Sequence, residues 1–286
     1  MAIFVGTASF FFLHKEILPS IQPLSLILRI IGSFLLTWAI STANYIVNEI
    51  VDAPYDAHHP TKHRRPLLTG EIRKGPFILA GIGLTVTSLI LAYIYFPLPF
   101  FLSLTSLLAA GFIYNIPPVR TKDIPFLDSI SESANNPIRF FIGWFAFASQ
   151  DIFPPAALLI CWWSFGNFLL VAKRLSELRF LKEKAGDYRA SLRKYTKNSL
   201  VFGMGLSTAV FLTAYIYFAL MFKLQYFLYL TPFLVIFIIM IFRKTLHENE
   251  VMEEPERLLK YPNFAAYTLL LLFLYFVAFL VEKVGH

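Results

Sequence analysis

Long apolar runs, separated by short polar or proline-bearing breaks, dominate the pattern of residues along the chain. A helix needs about 20 apolar residues to cross the hydrocarbon core of a bilayer, so runs of about that length indicate membrane helices. The first run is too short to span and is interpreted as a partial helix. The predicted fold class is all-α, a polytopic membrane helical bundle of about nine transmembrane helices in one domain over residues 1–286. The predicted helices are 2–13, 22–47, 76–96, 98–115, 127–148, 154–172, 198–221, 225–242 and 263–281.

Composition supports this interpretation, because hydrophobic residues make up 57% of the sequence, with 31 Phe and 14 Tyr. A soluble domain does not accommodate such a composition on a water-facing surface, so the first predicted partner is the lipid bilayer. The single cysteine, Cys161, excludes an intramolecular disulfide and a cysteine metal cluster.

The formal net charge of +7 is concentrated in four polar loops, which hold 20 of the 25 Lys and Arg residues. These loops are 57–75, 116–123, 173–197 and 243–262. Short basic loops favour the cytoplasmic side, so all four are predicted to face the cytoplasm in a cell (inner) membrane. This explains the charge without a nucleic-acid partner. Loops 57–75 and 173–197 are predicted to lie over the active site, and 173–197 has the spacing of a helix on the membrane surface.

Polar residues gather at the end of the second predicted helix, where Asn48, Asp52 and Asp56 are spaced four apart with Glu49 alongside. On a helix this spacing puts the three on one face. Acids near a membrane core are costly unless they face a wet cavity or a partner, so they are candidate functional groups. Mg²⁺ is commonly held by one or two carboxylates together with substrate phosphates. The face is therefore a candidate metal site.

Pro54 interrupts this row of residues. Proline removes a backbone donor and clashes with the carbonyl four residues earlier. The helix is predicted to bend or stop near Ala53, which places Asp56 on the loop side of the break.

Basic residues follow at once, at Lys62, Arg64, Arg65, Arg73 and Lys74. Guanidinium groups match phosphate oxygens bidentately, so acids that hold a metal and bases that hold phosphates would form one site. The alternative, a polar loop cap with topological charges, stays open. His58, His59 and His63 are not predicted to bind zinc, because no Cys or further His completes a tetrahedral set.

The segment between residues 114 and 139 contains further candidates. Tyr114 closes a helix, Arg120 and Lys122 follow in a loop, and Asp128 begins the next helix. An Asn-Asn-Pro break precedes Arg139. Broken membrane helices expose backbone to cavities rather than to lipid, so Arg139 is predicted to face inward.

Two interpretations of Arg139 stay open. It holds a phosphate, or it pairs with Asp128 or Glu132. Those two acids are alternatively ligands of a second metal.

A second charged group lies at Lys173, Arg174 and Glu177. Lys173 and Glu177 are four apart and can share a helix face. The cations would bind a phosphate, or the Lys–Glu pair is merely a surface ion pair.

The run Asn48-Glu49-x-x-Asp52-x-x-x-Asp56, followed by HHPTKHRRPLLTG, resembles the NDxxDxxxD motif and R-P-L-x-x-G tail of the UbiA superfamily of intramembrane transferases. The resemblance implies a UbiA-like bundle, with Mg²⁺ and the diphosphate of an activated donor bound by the acidic residues. The implied metal ligands are Asn48, Glu49, Asp52 and Asp56. Glu49 stands where the family usually has Asp, which keeps the charge and lengthens the reach.

Residues 172–177, AKRLSE, and the later RASLRKYT are similar to the decaprenyl-phosphate phosphoribosyltransferase branch, in which a GKRYAEL-like segment replaces the second acidic motif. This resemblance implies 5-phosphoribosyl-1-diphosphate as donor and a polyprenyl phosphate as acceptor. The catalytic residues would be Asp52, Asp56, Lys173 and Glu177. The substrate-binding residues would be Lys62, Arg65, Tyr114, Arg120, Lys122, Asp128, Arg139 and Arg174.

The alternative within the superfamily is prenyl transfer from a polyprenyl diphosphate to an aromatic or glyceryl acceptor, which would use the same first motif. The alternative outside it is a secondary transporter, where buried carboxylates relay protons and inverted repeats are expected. No such repeat is evident in the sequence. A homo-oligomer is compatible with a transferase and with a transporter.

Overall fold

The computed structural model describes residues 2–56, 64–247 and 255–284. Within these ranges the regular structure is helical and contains no β-strand, which confirms the predicted all-α class. The chain divides into two compact units, residues 1–154 and 155–286, and each is described by itself. The single domain over 1–286, with the loops 57–75 and 173–197 over the active site, stays a prediction.

The first unit contains seven α-helices among its described residues. They are α1 (Ala2–Leu13), α2 (Pro23–Asp56), α3 (Pro66–Thr69), α4 (Lys74–Tyr95), α5 (Leu98–Asn115), α6 (Leu127–Ser133) and α7 (Asn135–Phe145). The described part of the second unit contains six, α8 (Ala156–Leu181), α9 (Ala185–Tyr188), α10 (Lys197–Met221), α11 (Gln225–Tyr229), α12 (Thr231–His247) and α13 (Pro262–Val284).

Six of the described helices are long and apolar enough to cross a membrane, so the predicted count of nine is not confirmed. They are α2, α4, α5, α8, α10 and α13. The predicted helices 127–148 and 225–242 are each divided in two, into α6 with α7 and α11 with α12. The first division falls at Ala134, beside Asn135-Asn136-Pro137, because proline cannot donate a helical hydrogen bond. The second falls at Leu230, just before Thr231-Pro232, where proline suits a helix start.

Close backbone contact joins α1 to α7. A β-carbon on Gly6 would collide with the carbonyl of Phe140, and one on Gly143 would collide with the carbonyl of Ile3. Thr7 Oγ1 also donates to Gly143 O at 2.9 Å. Small residues that let backbones approach are typical of membrane helix pairs. The short first helix is therefore packed into this unit.

Helix α2 packs against α4 and α5, which fixes the position of its polar end. Asn44 Nδ2 donates to Leu107 O of α5 at 2.9 Å. The absence of a side chain at Gly111 leaves the space that the Asn44 amide fills. The row of polar residues begins at Asn48, one helical turn after Asn44.

In the second unit, α8 packs against α10, and Asn167 Nδ2 donates to Ser207 Oγ between them at 2.9 Å. The predicted surface helix over 173–197 is wrong for its first residues, because α8 continues without a break through Leu181. No glycine or proline occurs between residues 173 and 181 to end the helix, and Leu175 is fully buried. The rest forms the single turn α9 and short 3-10 turns.

Candidate active site

The acidic face at the end of α2 remains helical through Asp56. Of the two predicted outcomes at Pro54, a stop near Ala53 is therefore wrong, and a bend there stays a prediction. Pro54 lies in the last turn that the structure describes here, where its ring costs the hydrogen bond to a single carbonyl. Asn48, Asp52 and Asp56 keep the four-residue spacing that puts them on one face.

Asp52 is the centre of a cluster of charges. Its Oδ1 accepts from Lys122 Nζ and from Arg120 Nη2, the latter at 3.1 Å. The Lys122 ammonium also lies 3.3 Å from Asn48 Oδ1 and 3.4 Å from Asn115 Oδ1. Lys122 is only 6% exposed. Such a buried cation requires a counter-charge, and Asp52 supplies it.

The loop between α5 and α6 carries both cations to Asp52. Arg120 Nε donates to Asp123 Oδ2 at 2.6 Å, and its Nη1 donates to Asn115 O at 3.2 Å. Arg120 and Phe126 have positive φ values of 28° and 64°, in a region that favours glycine. Non-glycine residues held in such conformations cluster at binding and catalytic sites. The Arg120 contacts with three partners hold the loop in this shape.

Asp56 has its own cation. Arg65 Nη1 donates to Asp56 Oδ2 at 2.6 Å, and Asp56 is only 6% exposed. The structure therefore brings Arg65 to the acidic face, and its binding of a substrate phosphate stays a prediction. Glu49 is half-buried and makes no hydrogen bond or ion pair with any described residue. Lys62 and the three histidines at 58, 59 and 63 lie outside the described residues.

Tyr114, Asp128 and Glu132 form contacts that the sequence did not predict. Tyr114 Oη donates to Glu132 Oε2 at 2.7 Å. Asp128 is fully buried, and its Oδ1 accepts from the Ser129 backbone N–H at 2.8 Å. This burial leaves Asp128 without a surface for a bound molecule in this conformation, and its role as a substrate contact stays a prediction. Asp128 lies in the first turn of α6.

Arg139 does not pair with Asp128 or Glu132, so that alternative is wrong for this conformation. Among the residues described, its one hydrogen bond goes from Nη2 to Ser41 Oγ of α2, at 3.4 Å. The half-buried guanidinium thus faces the same helix as the acidic row, seven residues before Asn48.

The second charged group lies within α8. Arg174 Nη1 donates to Glu177 Oε2, and the two residues are 0% and 4% exposed. The alternative of a surface ion pair between Lys173 and Glu177 is wrong for this conformation, because the buried Arg174 reaches the carboxylate at the three-residue spacing instead. Lys173 is half-buried and makes no hydrogen bond or close ion pair with a described residue, although its charge acts on Glu177 at longer range.

Two contributors were missed in the sequence, Asn115 and Ser41. An amide at the end of a membrane helix, directly after Tyr114, was a signal for Asn115, since buried polar groups need partners. Nothing in the sequence distinguished Ser41 from other small residues in α2.

The donor atoms fit a hard divalent cation. Asn48, Glu49, Asp52 and Asp56 offer only oxygen, the ligand that Mg²⁺ prefers. No group of three or more His, Cys, Asp or Glu with metal-binding geometry occurs among residues 2–56, 64–247 and 255–284. Mg²⁺ held jointly with substrate phosphates takes only one or two carboxylates, so a pair of aspartates on one face is sufficient.

A sequence profile of the UbiA prenyltransferase family matches residues 3–263. No curated protein sequence matches the chain. Two solved structures of a UbiA homolog from Archaeoglobus fulgidus are similar in fold. The one bound to DMAPP and Mg²⁺ has 18% identity and a TM-score of 0.71, covering 98% of this chain and 95% of that one. The one bound to GPP and Mg²⁺ has 19% identity and a TM-score of 0.67, covering 88% and 87%.

These matches confirm the superfamily resemblance that the first motif carried, and the Mg²⁺ in the solved relatives is the metal that the motif predicts. The family match spans most of both units. The chain therefore belongs to the UbiA prenyltransferase family, and it is an integral membrane transferase with an all-helical fold.

Proposed function

We propose that this transferase uses a diphosphate-activated donor, with Mg²⁺ bound at the end of α2. One observation carries the proposal: two aspartates on one helix face, Asp52 and Asp56, are each engaged by basic side chains from other segments. Acids recruit a metal and bases recruit phosphates. A site with both, at the mouth of membrane helices, suits a diphosphate better than a proton relay.

Asn48, Asp52 and Asp56 would hold the metal, with Glu49 near enough in sequence to contribute. When bound, Mg²⁺ would neutralise the charge that develops on the leaving diphosphate. The longer side chain of Glu49, where the family usually has Asp, suits a ligand that reaches from the side of the row.

Arg65, Arg120 and Lys122 would bind the phosphates. In this structure these cations contact Asp52 and Asp56. Guanidinium groups fit phosphate oxygens bidentately, and charges fixed in advance stabilise a transition state without reorganisation. Arg139 has most of its N–H donors uncommitted, so it is a fourth candidate phosphate ligand.

The reaction breaks the bond between the donor carbon and the diphosphate oxygen, and the diphosphate leaves with the electron pair. An acceptor oxygen then forms the new bond to that carbon, which is oxocarbenium-like in a ribosyl donor. A phosphate acceptor is already anionic, so no general base is required. The basic side chains hold the leaving group while the bond breaks.

For the donor we propose 5-phosphoribosyl-1-diphosphate, with a polyprenyl phosphate as acceptor. The support is the polar end of α8, where Lys173 and Arg174 stand in the segment that resembles the phosphoribosyltransferase branch. Both proposed substrates are anionic, and cations are the groups that recognise them. Because Arg174 is buried against Glu177, Lys173 is the better candidate for direct phosphate contact, and Glu177 would orient the arginine.

Prenyl transfer to an aromatic or glyceryl acceptor is the second candidate. Its specific support is that the solved relatives with this fold are bound to GPP or DMAPP together with Mg²⁺. Both are prenyl diphosphates, and the site on α2 suits the diphosphate of either donor.

Activity of the purified protein in detergent with Mg²⁺ distinguishes the two. One reaction contains radiolabelled 5-phosphoribosyl-1-diphosphate with decaprenyl phosphate, and the other contains geranylgeranyl diphosphate with aromatic and glyceryl acceptors. We expect a radiolabelled lipid and diphosphate release in the first. Product only in the second overturns the donor assignment, and diphosphate release in neither overturns the function.

We further propose an inner-membrane protein with this site on the cytoplasmic side. The basis is the asymmetric distribution of Lys and Arg. Single cysteines at exposed Glu71 and Asp151 test it, because the natural Cys161 is buried and gives little background labelling. A membrane-impermeant thiol reagent applied to intact cells should label Asp151→Cys and not Glu71→Cys. The opposite pattern contradicts the orientation.

A further inference from the structure

Three side-chain oxygens lie around the Lys122 ammonium, from Asp52, Asn48 and Asn115. An ammonium has three N–H donors and no acceptor, and each of these oxygens can accept from it. Two of the three, Asn48 and Asp52, belong to the row to which the proposed function assigns the metal. The ammonium therefore lies where a metal cation would bind.

The same oxygens suit either cation but not both at once. Mg²⁺ binds amide and carboxylate oxygens at about 2.0–2.1 Å. In this structure Asn48 Oδ1 accepts a hydrogen bond from Lys122 Nζ at 3.3 Å. A divalent ion on Asp52 would meet the ammonium at contact distance, where like charges repel strongly.

Lys122 has little freedom to leave without a replacement partner. It is 6% exposed, and an ammonium buried without a counter-charge is costly. Arg120 contacts both Asp52 and Asp123, so Asp52 is the carboxylate that the two cations share. An incoming metal would take that carboxylate from both. An incoming diphosphate would bring new anionic oxygens for both.

We infer that Lys122 occupies the cation position beside Asp52 in the substrate-free protein and leaves it only when a diphosphate group takes over its charge. The inference rests on the proposed function. Its consequence is ordered binding, in which the metal enters together with the diphosphate. Divalent metal alone binds weakly, because the site is already filled by a cation of the protein itself.

Binding of Mn²⁺, an ion with the ligand preferences of Mg²⁺, tests this without catalysis. Free Mn²⁺ is counted by electron paramagnetic resonance, once with Mn²⁺ alone and once with Mn²⁺ plus inorganic pyrophosphate. The proteins are the natural chain, Lys122→Met and Lys122→Gln. Met keeps the unbranched stem and Gln keeps a donor to Asp52, so one serves if the other does not fold. Lys15→Gln, an exposed lysine in the same unit, is the matched control.

We expect both Lys122 variants to bind Mn²⁺ alone at least about tenfold more tightly than the natural chain, because a like charge at contact distance has been removed. Lys15→Gln should behave as the natural chain. Adding Asp52→Asn to Lys122→Met should abolish the gain, which locates the ion.

Two results contradict the inference, and only one of them also contradicts the proposed function. Equal Mn²⁺ affinity in the natural chain and the Lys122 variants, with pyrophosphate-dependent binding preserved, overturns the ordered binding and leaves the proposed function intact. Absence of Mn²⁺ binding in every protein, with and without pyrophosphate, overturns both.

Discussion

Replacement of Asp52 by Asn is the most informative perturbation of this protein. It changes one oxygen to an amide nitrogen and keeps the side-chain shape. It also removes the charge that Lys122 and Arg120 share. The three side chains are 15%, 7% and 11% exposed, so water screens their interaction only weakly.

The magnitude follows from this geometry. At 3.1 Å and an effective dielectric constant of about 20, the attraction between Arg120 and Asp52 is about 5 kcal/mol before desolvation is counted. Removing one partner of a buried pair typically costs about 3–5 kcal/mol. The amide of Asn retains a hydrogen-bond acceptor, worth about 1 kcal/mol. We therefore expect Asp52→Asn to lower the free energy of unfolding by about 2–4 kcal/mol.

The assay combines stability and turnover in detergent. Thermal unfolding should show a lower Tm for Asp52→Asn, and diphosphate release should fall at least about a hundredfold, since a group that stabilises transition-state charge is lost. Asp151→Asn, the same chemical change at an exposed position, is the matched control and should leave both unchanged.

A double-mutant cycle with Lys122→Met isolates the ion pair. If Asp52 and Lys122 stabilise each other, the double variant should be more stable than the sum of the single losses predicts, by more than about 0.5 kcal/mol. Additive losses would refute the buried pair, and unchanged diphosphate release in Asp52→Asn would refute the metal role.

Three further predictions address the metal, the second unit and the first helix pair. Chelation by EDTA should abolish transfer and added Mg²⁺ should restore it, measured as diphosphate release; activity that survives chelation contradicts a metal-dependent reaction. Arg174→Met should lower the free energy of unfolding by about 3–5 kcal/mol, because it removes the one cation that is hydrogen-bonded to the buried Glu177. Lys173→Met should change it little, and equal effects in thermal unfolding would refute the pairing. Gly143→Ala should destabilise by about 1–3 kcal/mol, because its β-carbon meets the Ile3 carbonyl, and an unchanged Tm would show that α1 does not pack there.

Several features of the site could be predicted because they depend on short stretches of chain. The acidic face of α2 follows from a four-residue spacing, and helix geometry is set locally. The helices were found for the same reason, since apolar length is a property of each segment alone. The error at Pro54 was also local: the loss of one hydrogen bond to proline did not end the helix, which continues through Asp56.

Other features depended on which residues the fold brings together. Arg120 and Lys122 reach Asp52 across 68 and 70 residues of sequence, a pairing that no spacing rule contains. In α8, both Lys173 and Arg174 were within reach of Glu177 by helix geometry, at four and three residues. Arg174 forms the pair because it is fully buried, and a buried charge needs a counter-charge.

The sequence by itself determined an all-helical membrane protein with a row of oxygen ligands and a supply of cations, since periodicity, hydropathy and motif spacing are read along one segment at a time. Only the tertiary structure decided that Lys122 lies among Asn48, Asp52 and Asn115, and that Arg65 lies on Asp56. The physical reason is that the partner of a buried charge is chosen by the packing of distant segments, where the cost of leaving any charge without a counter-charge is highest.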